Sequence, residues 1–351
     1  MLGTAAKKRF LAAFAGLGVA ASALMFLIPP GGVGLASALY ALGTIGVAGS
    51  IVFYDALLPG VARAGDLDRI SAIGYAAGYL GSVLLMIFDV LLIRNPGWLG
   101  LPDAGTAVRL SFVSVAVWWA AFTIPLLRRV PEPPAAPAPA EGNVVAAAFR
   151  RLGRTFREVK RYRQLALFLA AFWIYSDGIG TIIKMATAFG NSLGIGVGDM
   201  MMALILTQVV GVPCAMAFGL MARRIGAKAG IFAGLAVYAL ACGLAAFMSR
   251  TWHFYAVAVA VGLVQGGTQA LSRSLFASMI PRARSAEFFG FFSTVEKFAG
   301  ILGPLLLGLL WSEGGDPRRG ILAIAAFFVV GGLILWKVDP AEGRRAAAEG
   351  S

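Results

Sequence analysis

A chain of 351 residues that is 59% hydrophobic and only 13% charged, with a mean hydropathy of +0.81, is not an ordinary soluble domain, in which about a quarter of residues are charged. Its net charge of +13 would point to nucleic acid in a soluble protein, but apolar runs recur along the whole chain at the length a bilayer requires, so no nucleic-acid partner is expected. Strand-type alternation is absent, which leaves an all-α membrane protein rather than a β-barrel.

Ten spans are expected, at 10–28, 34–57, 71–92, 107–127, 165–189, 199–221, 229–247, 253–279, 287–310 and 319–336. The basic start before the first of them, with "ASA" at 21–23, imitates a signal peptide. Asp55 sits near the end of the second span, followed by Pro59, and reads as a gate or helix-end residue. After the fourth span, "RRVPEPPAAPAPAEG" is too rich in proline to be a regular helix. Beyond it Val145, Phe149, Leu152, Phe156 and Val159 recur at spacings of three and four among basic residues. That pattern predicts an amphipathic helix on the membrane face, read either as a lipid sensor or as a tether held by anionic headgroups.

The fifth span carries the first anomaly, "WIYSDGIGTIIKMATAFG". Asp177, Thr181 and Lys184 lie on one helix face, and charges there are costly in hydrocarbon. Three readings stand: a solute or proton site at a central cavity, a structural ion pair, or Lys184 reaching for the interface. Helical side chains tilt towards the N-terminus, which turns Lys184 towards Asp177. In the eighth span Gln265, Gln269 and Arg273 form a stripe at i, i+4 and i+8, beside Ser272. Such a stripe can line an aqueous path and grip a carboxylate, or it can bond to a neighbouring helix. In the ninth span Glu296 and Lys297 point about 100° apart, so they do not share a face. Glu296 is a candidate proton carrier or a tie to a neighbouring helix. Cys214 and Cys242 read as small core residues and His253 as an interfacial one. No P-loop, zinc motif or nucleophile elbow is present, so neither an enzyme nor a cofactor is expected.

With the N-terminus placed in the cytoplasm, 22 basic residues fall on the cytoplasmic side and 5 outside. The positive-inside rule then explains the net charge and puts both termini in the cytoplasm. Sliding the chain along itself by 222 residues aligns Ala48 with Ala270, Ser50 with Ser272, Pro59 with Pro281, Ser71 with Ser293, Gly78 with Gly300 and Gly81 with Gly303, without a gap. The first four spans therefore repeat the last four, and the repeat argues against cleavage of the N-terminus. The expected organisation is a four-helix half-bundle at 1–127, a cytoplasmic linker at 128–164, a six-helix half-bundle at 165–336 and a cytoplasmic tail at 337–351.

Parallel six-helix repeats are the plan of the major facilitator superfamily, and the sequence resembles that superfamily with its first two helices missing. "FGLMARRIGAKAG" (218–230) resembles the superfamily loop motif through Gly219, Arg224, Gly226 and Lys228, with Arg223 at the usual aspartate position. Further segments, among them "VFYDALLPGVA" (52–62), "GYAAGYLGSVLL" (74–85), "GLVQGGTQALSRSLFASMIP" (262–281) and "EFFGFFSTVEKFAGILGP" (287–304), resemble the vacuole-effluxer-like branch. That resemblance implies a secondary transporter for a small polar solute, working by alternating access, and Asp177 and Glu296 suggest that it is coupled to protons. Fungal members are implicated in amino-acid export, and the arginine- and alanine-rich composition suggests a bacterial cytoplasmic membrane. The alternative is a truncated, non-transporting membrane protein or scaffold.

Overall fold

The structure, a computed structural model of the chain, describes residues 6–29, 31–62, 65–131, 162–312 and 317–349. The helices among them are α1 (Ala6–Leu24), α2 (Val33–Val61), α3 (Leu67–Arg94), α4 (Ala104–Arg129), α5 (Arg163–Ser192), α6 (Val197–Ile225), α7 (Ala227–Ala246), α8 (Thr251–Ser278), α9 (Ser285–Phe298), α10 (Leu302–Ser312), α11 (Pro317–Trp336) and α12 (Pro340–Glu349). The amphipathic segment expected in the linker lies outside the described residues. Long apolar runs become helices because only a helix satisfies its own backbone hydrogen bonds within one segment in lipid. Local signals set the ends. Asp103 caps α4 by accepting from Thr106 N at 2.7 Å, and Gly226, at φ +84°, makes the turn from α6 into α7.

Among the described residues nine segments are long and apolar enough to cross a membrane. A tenth, at the end of the chain, passes that test only as a pair of helices, Gly320–Trp336 with Pro340–Glu349, bent by 61°. The span expected at 287–310 is not one continuous helix: α9 stops at Phe298, and a turn at 299–301 precedes α10. Pro304 explains the break. It has no N–H to return to the carbonyl of Gly300, four residues back, and glycine at 300 and 303 weakens the helix further.

The chain forms two compact units. The first holds residues 1–61, 81–141 and 283–290, and the second holds 62–80, 142–282 and 291–351. α3 and α9 each contribute to both. In the first unit α1 packs along α2 and α4; in the second α7 packs along α8 and α11. Lysines near the starts of α1 and α7 reinforce the parallel. Lys8 Nζ donates to Leu127 O at 2.7 Å in the last turn of α4. Lys228 Nζ donates to Trp336 O at 2.8 Å and Val338 O at 2.7 Å at the end of α11. In each case a cation meets the negative end of a helix dipole. The second unit is cemented by aromatic packing: Phe292 of α9 stacks on Phe172 of α5 at 4.3 Å and on Phe276 of α8 at 4.5 Å. Lipid tails are as apolar as these rings, so close packing rather than water exclusion holds the helices together.

Candidate functional site

The break between α9 and α10 lies against the charged face of α5. A broken helix exposes N–H groups where the second half starts and carbonyls where the first half ends. Asp177, 1% exposed, takes the N–H groups: Leu302 N donates to Oδ2 at 3.1 Å and Gly303 N to Oδ1 at 2.7 Å. Thr181 donates from Oγ1 to Asp177 O at 2.7 Å and lies 3.4 Å from Oδ1. Lys184 takes a carbonyl: Nζ donates to Gly300 O at 3.2 Å, the oxygen left without a helical partner by Pro304. The negative side chain therefore meets the positive end of α10, and the positive side chain meets an orphaned carbonyl.

This arrangement corrects one expectation. Asp177 and Lys184 do not form an ion pair with each other; each is bound to its own part of the break. Two backbone N–H groups at a helix start offer the carboxylate shorter and more numerous bonds than one flexible ammonium. The approach needs a glycine at 303, because a Cβ there would stand 2.9 Å from Asp177 Oδ1 and would collide with Thr181. Glu296 and Lys297 fall at the end of α9, both exposed, immediately before the break.

The stripe on α8 has a matching stripe on α3. Ser71, Tyr75 and Tyr79 recur at i, i+4 and i+8 and face Gln265, Gln269 and Arg273 in antiparallel order. Arg273, 6% exposed, donates from Nε to Ser71 Oγ at 3.0 Å and from an Nη to Ser71 O at 3.1 Å. Its guanidinium lies 4.7 Å above the Tyr75 ring. Ser71 in turn donates to Ala270 O at 2.7 Å. Tyr79 donates to Gln269 at 3.4 Å. Ser274 bonds Asp68 at the start of α3. Arg273 is thus committed to a neighbouring helix. A further tie joins α5 to α8, where the Tyr175 and Ser272 hydroxyls are 2.7 Å apart.

The remaining candidates sit near helix ends. Gly219 packs against Ala72 of α3, and Arg223 and Arg224 are exposed in the last turn of α6. Asp55 is buried near the end of α2, beside Ala56, whose carbonyl accepts from Ser285 at 2.9 Å. Ser285 also accepts from the buried Lys7 at 3.1 Å. His253 caps α8, its Nδ1 accepting from Ser249 N at 3.2 Å and Arg250 N at 3.1 Å. Both cysteines are free thiols, and Cys242 lines an apolar cavity of about 70 Å³ within the second unit. Thr181, Met185, Phe254 and Leu307 also line it. Sequence reasoning missed the α3 stripe, whose spacing was legible, and Lys7, whose partners come from distant segments.

Comparison with known proteins places these features in a family. Residues 64–348 match the family model "Vacuole effluxer Atg22 like". The chain is 37% identical over 330 residues to the uncharacterized MFS-type transporter YxiO of Bacillus subtilis, covering 94% of this chain and 77% of that one. It is 27% identical over 301 residues to autophagy-related protein 22-1 of Aspergillus niger, covering 80% of this chain and 48% of that one. It therefore spans about half the length of the fungal relative. Among solved structures, the major facilitator superfamily transporter FucP in its outward conformation superposes with a TM-score of 0.70 at 13% identity, over 95% of this chain and 83% of that one. This last likeness concerns the fold alone.

Proposed function

Because the chain belongs to the vacuole effluxer Atg22-like family of major facilitator permeases, we propose that it is a secondary transporter that moves a small polar solute, of the amino-acid class, across a bilayer by alternating access. Proton coupling and a bacterial cytoplasmic membrane, with both termini in the cytoplasm, belong to the same reading. The membrane and the solute are its partners, and no step requires a cofactor.

The observation that carries this reading is the pair of α5 charges that meet the break between α9 and α10. Ionisable groups inside apolar segments are expensive and persist where they face a water-filled path or a partner. Discontinuous helices in transporters present their half-helix ends to solutes and ions. Asp177 and Lys184 converge on such a break from a single helix. A proton that reached Asp177 would remove an acceptor from Leu302 N or Gly303 N and loosen α10, which links proton arrival to movement of a helix end. Glu296, exposed beside the break, is the second carboxylate of the coupling reading.

The test is solute flux in proteoliposomes with and without an imposed pH gradient, using the wild type and the Asp177→Asn and Glu296→Gln variants. Gradient-driven flux in the wild type that weakens in either variant supports the reading. Flux that keeps its full gradient dependence in both variants removes proton coupling, and a wild type that moves no solute removes transport itself.

A further inference from the structure

We infer that Lys184 is a solute-contacting residue and that it recognises a carboxylate. This rests on the transport reading and deepens it by naming the residue that meets the solute and the group it recognises.

The charges at the break differ in what they have left to offer. Asp177 is sealed, at 1% exposure, with one backbone N–H already on each oxygen, from Leu302 and Gly303. Lys184 is exposed and gives a single hydrogen bond, to Gly300 O at 3.2 Å. An ammonium carries three N–H donors, so two remain. It stands eight residues before the end of α5, about 12 Å short of it, and its Cα–Cβ bond tilts away from that end. Lys297 precedes Gly300 by three residues, one helical turn, and is also exposed. Among the described residues it has no hydrogen-bond or ion-pair partner. Glu296 is exposed as well, but it is already engaged in an interaction of its own.

Lys184 therefore meets the turn at 299–301 with donors to spare, and Lys297 stands on α9 one helical turn before Gly300, while the nearest buried carboxylate is sealed against the start of α10. An anion fits that imbalance, held by charge-assisted hydrogen bonds of the Lys–carboxylate kind. Asp177, on the same face of α5, opposes a second negative charge, which favours a single carboxylate over a phosphate dianion. The Pro304 break acts as positioning machinery: it supplies the free carbonyl that holds the Lys184 stem in place.

The experiment measures ligand-induced thermal stabilisation and proteoliposome flux with lactate and alanine, against their uncharged-acid counterparts lactamide and alaninamide. Wild type, Lys184→Met, Lys184→Arg and Lys337→Met are compared, the last being an exposed residue beyond α11. The expected result is stabilisation by the two carboxylates and not by the two amides. Apparent affinity should fall at least tenfold in Lys184→Met, and be retained in Lys184→Arg and Lys337→Met. Carboxylates and amides acting equally on the wild type, or no response to either carboxylate, would overturn the inference. So would undiminished carboxylate binding in Lys184→Met. Measurable wild-type flux alongside any of these leaves the transport reading standing and removes only the carboxylate.

Discussion

Replacing Asp177 by asparagine keeps the size of the side chain but halves its capacity as an acceptor. In the native structure Gly303 N and Leu302 N donate to separate oxygens at 2.7 and 3.1 Å. Asparagine offers one carbonyl oxygen, so one N–H keeps a neutral partner and the other faces an amide NH₂. Leaving a buried donor unsatisfied costs about 1–3 kcal/mol, and losing the anion at the start of a half-helix costs about 1 kcal/mol more. The sum is roughly 2–4 kcal/mol. Alanine leaves both N–H groups orphaned and belongs at or above the upper end. Gly303→Ala approaches the same cost from the other side, because its Cβ would stand 2.9 Å from Asp177 Oδ1. The natural reporter is Cys242, 2% exposed, which reacts with a thiol-specific dye once the second unit opens. Melting curves in detergent should rank wild type above Asp177→Asn and Asp177→Asn above Asp177→Ala. If Asp177→Ala melted with the wild type, within the ~0.5 kcal/mol typical of inert surface changes, the carboxylate would not be holding α10.

Arg273→Leu removes two hydrogen bonds to Ser71 and the contact with the Tyr75 ring. Hydrogen bonds to a charged group are worth about 1.5–3 kcal/mol each, and hydrogen exchange should quicken over 67–80 while 81–94 changes little. Lys228→Ala uncovers the carbonyls of Trp336 and Val338, and the expected readout is faster tryptic cleavage at Arg344 and Arg345. Asp339 caps α12 through Ala341 N at 2.8 Å and Glu342 N at 3.3 Å, and those backbone bonds hold its carboxyl below the usual 3.8. A lowered folded value stabilises the capped form above the unfolded value and loses that contribution as the pH falls through the folded one. Protection at Ala341 and Glu342, taken relative to the intrinsic exchange rate at each pH, should therefore be unchanged from pH 7 to about 5, then fall below the ordinary aspartate value near 3.9. Asp339→Asn should flatten that profile.

The spans and the family were legible because each rests on a local signal: an apolar run of bilayer length, or a short motif read in place. Lys8 and Lys228 hold equivalent places at the starts of α1 and α7 but are 220 residues apart, two off the register of the 222-residue shift. The break at 299–301 was hidden because "KFAGILGP" stays apolar throughout, and Gly300, Gly303 and Pro304 are each unremarkable in a membrane helix. The true partners of Asp177 were hidden for a different reason. They are backbone N–H groups 125 and 126 residues away, and they become available only because that helix is broken. Proximity in sequence favoured Lys184 instead. The α8 stripe drew attention through its arginine, whereas Ser71, Tyr75 and Tyr79 repeat the same spacing with residues that no hydropathy argument singles out.

Thiol accessibility at position 184 tests the account most directly. With Cys214 and Cys242 replaced by alanine, a cysteine at 184 should react with a membrane-impermeant thiol reagent in right-side-out vesicles and in inside-out vesicles. Cysteine at 183, exposed on the flank of the same helix, serves as the comparison. Labelling of 184 from both sides is the result that an alternating aqueous path past the break predicts. A cysteine at 184 that reacts only with a lipid-soluble maleimide would place that face of α5 in lipid and contradict the account.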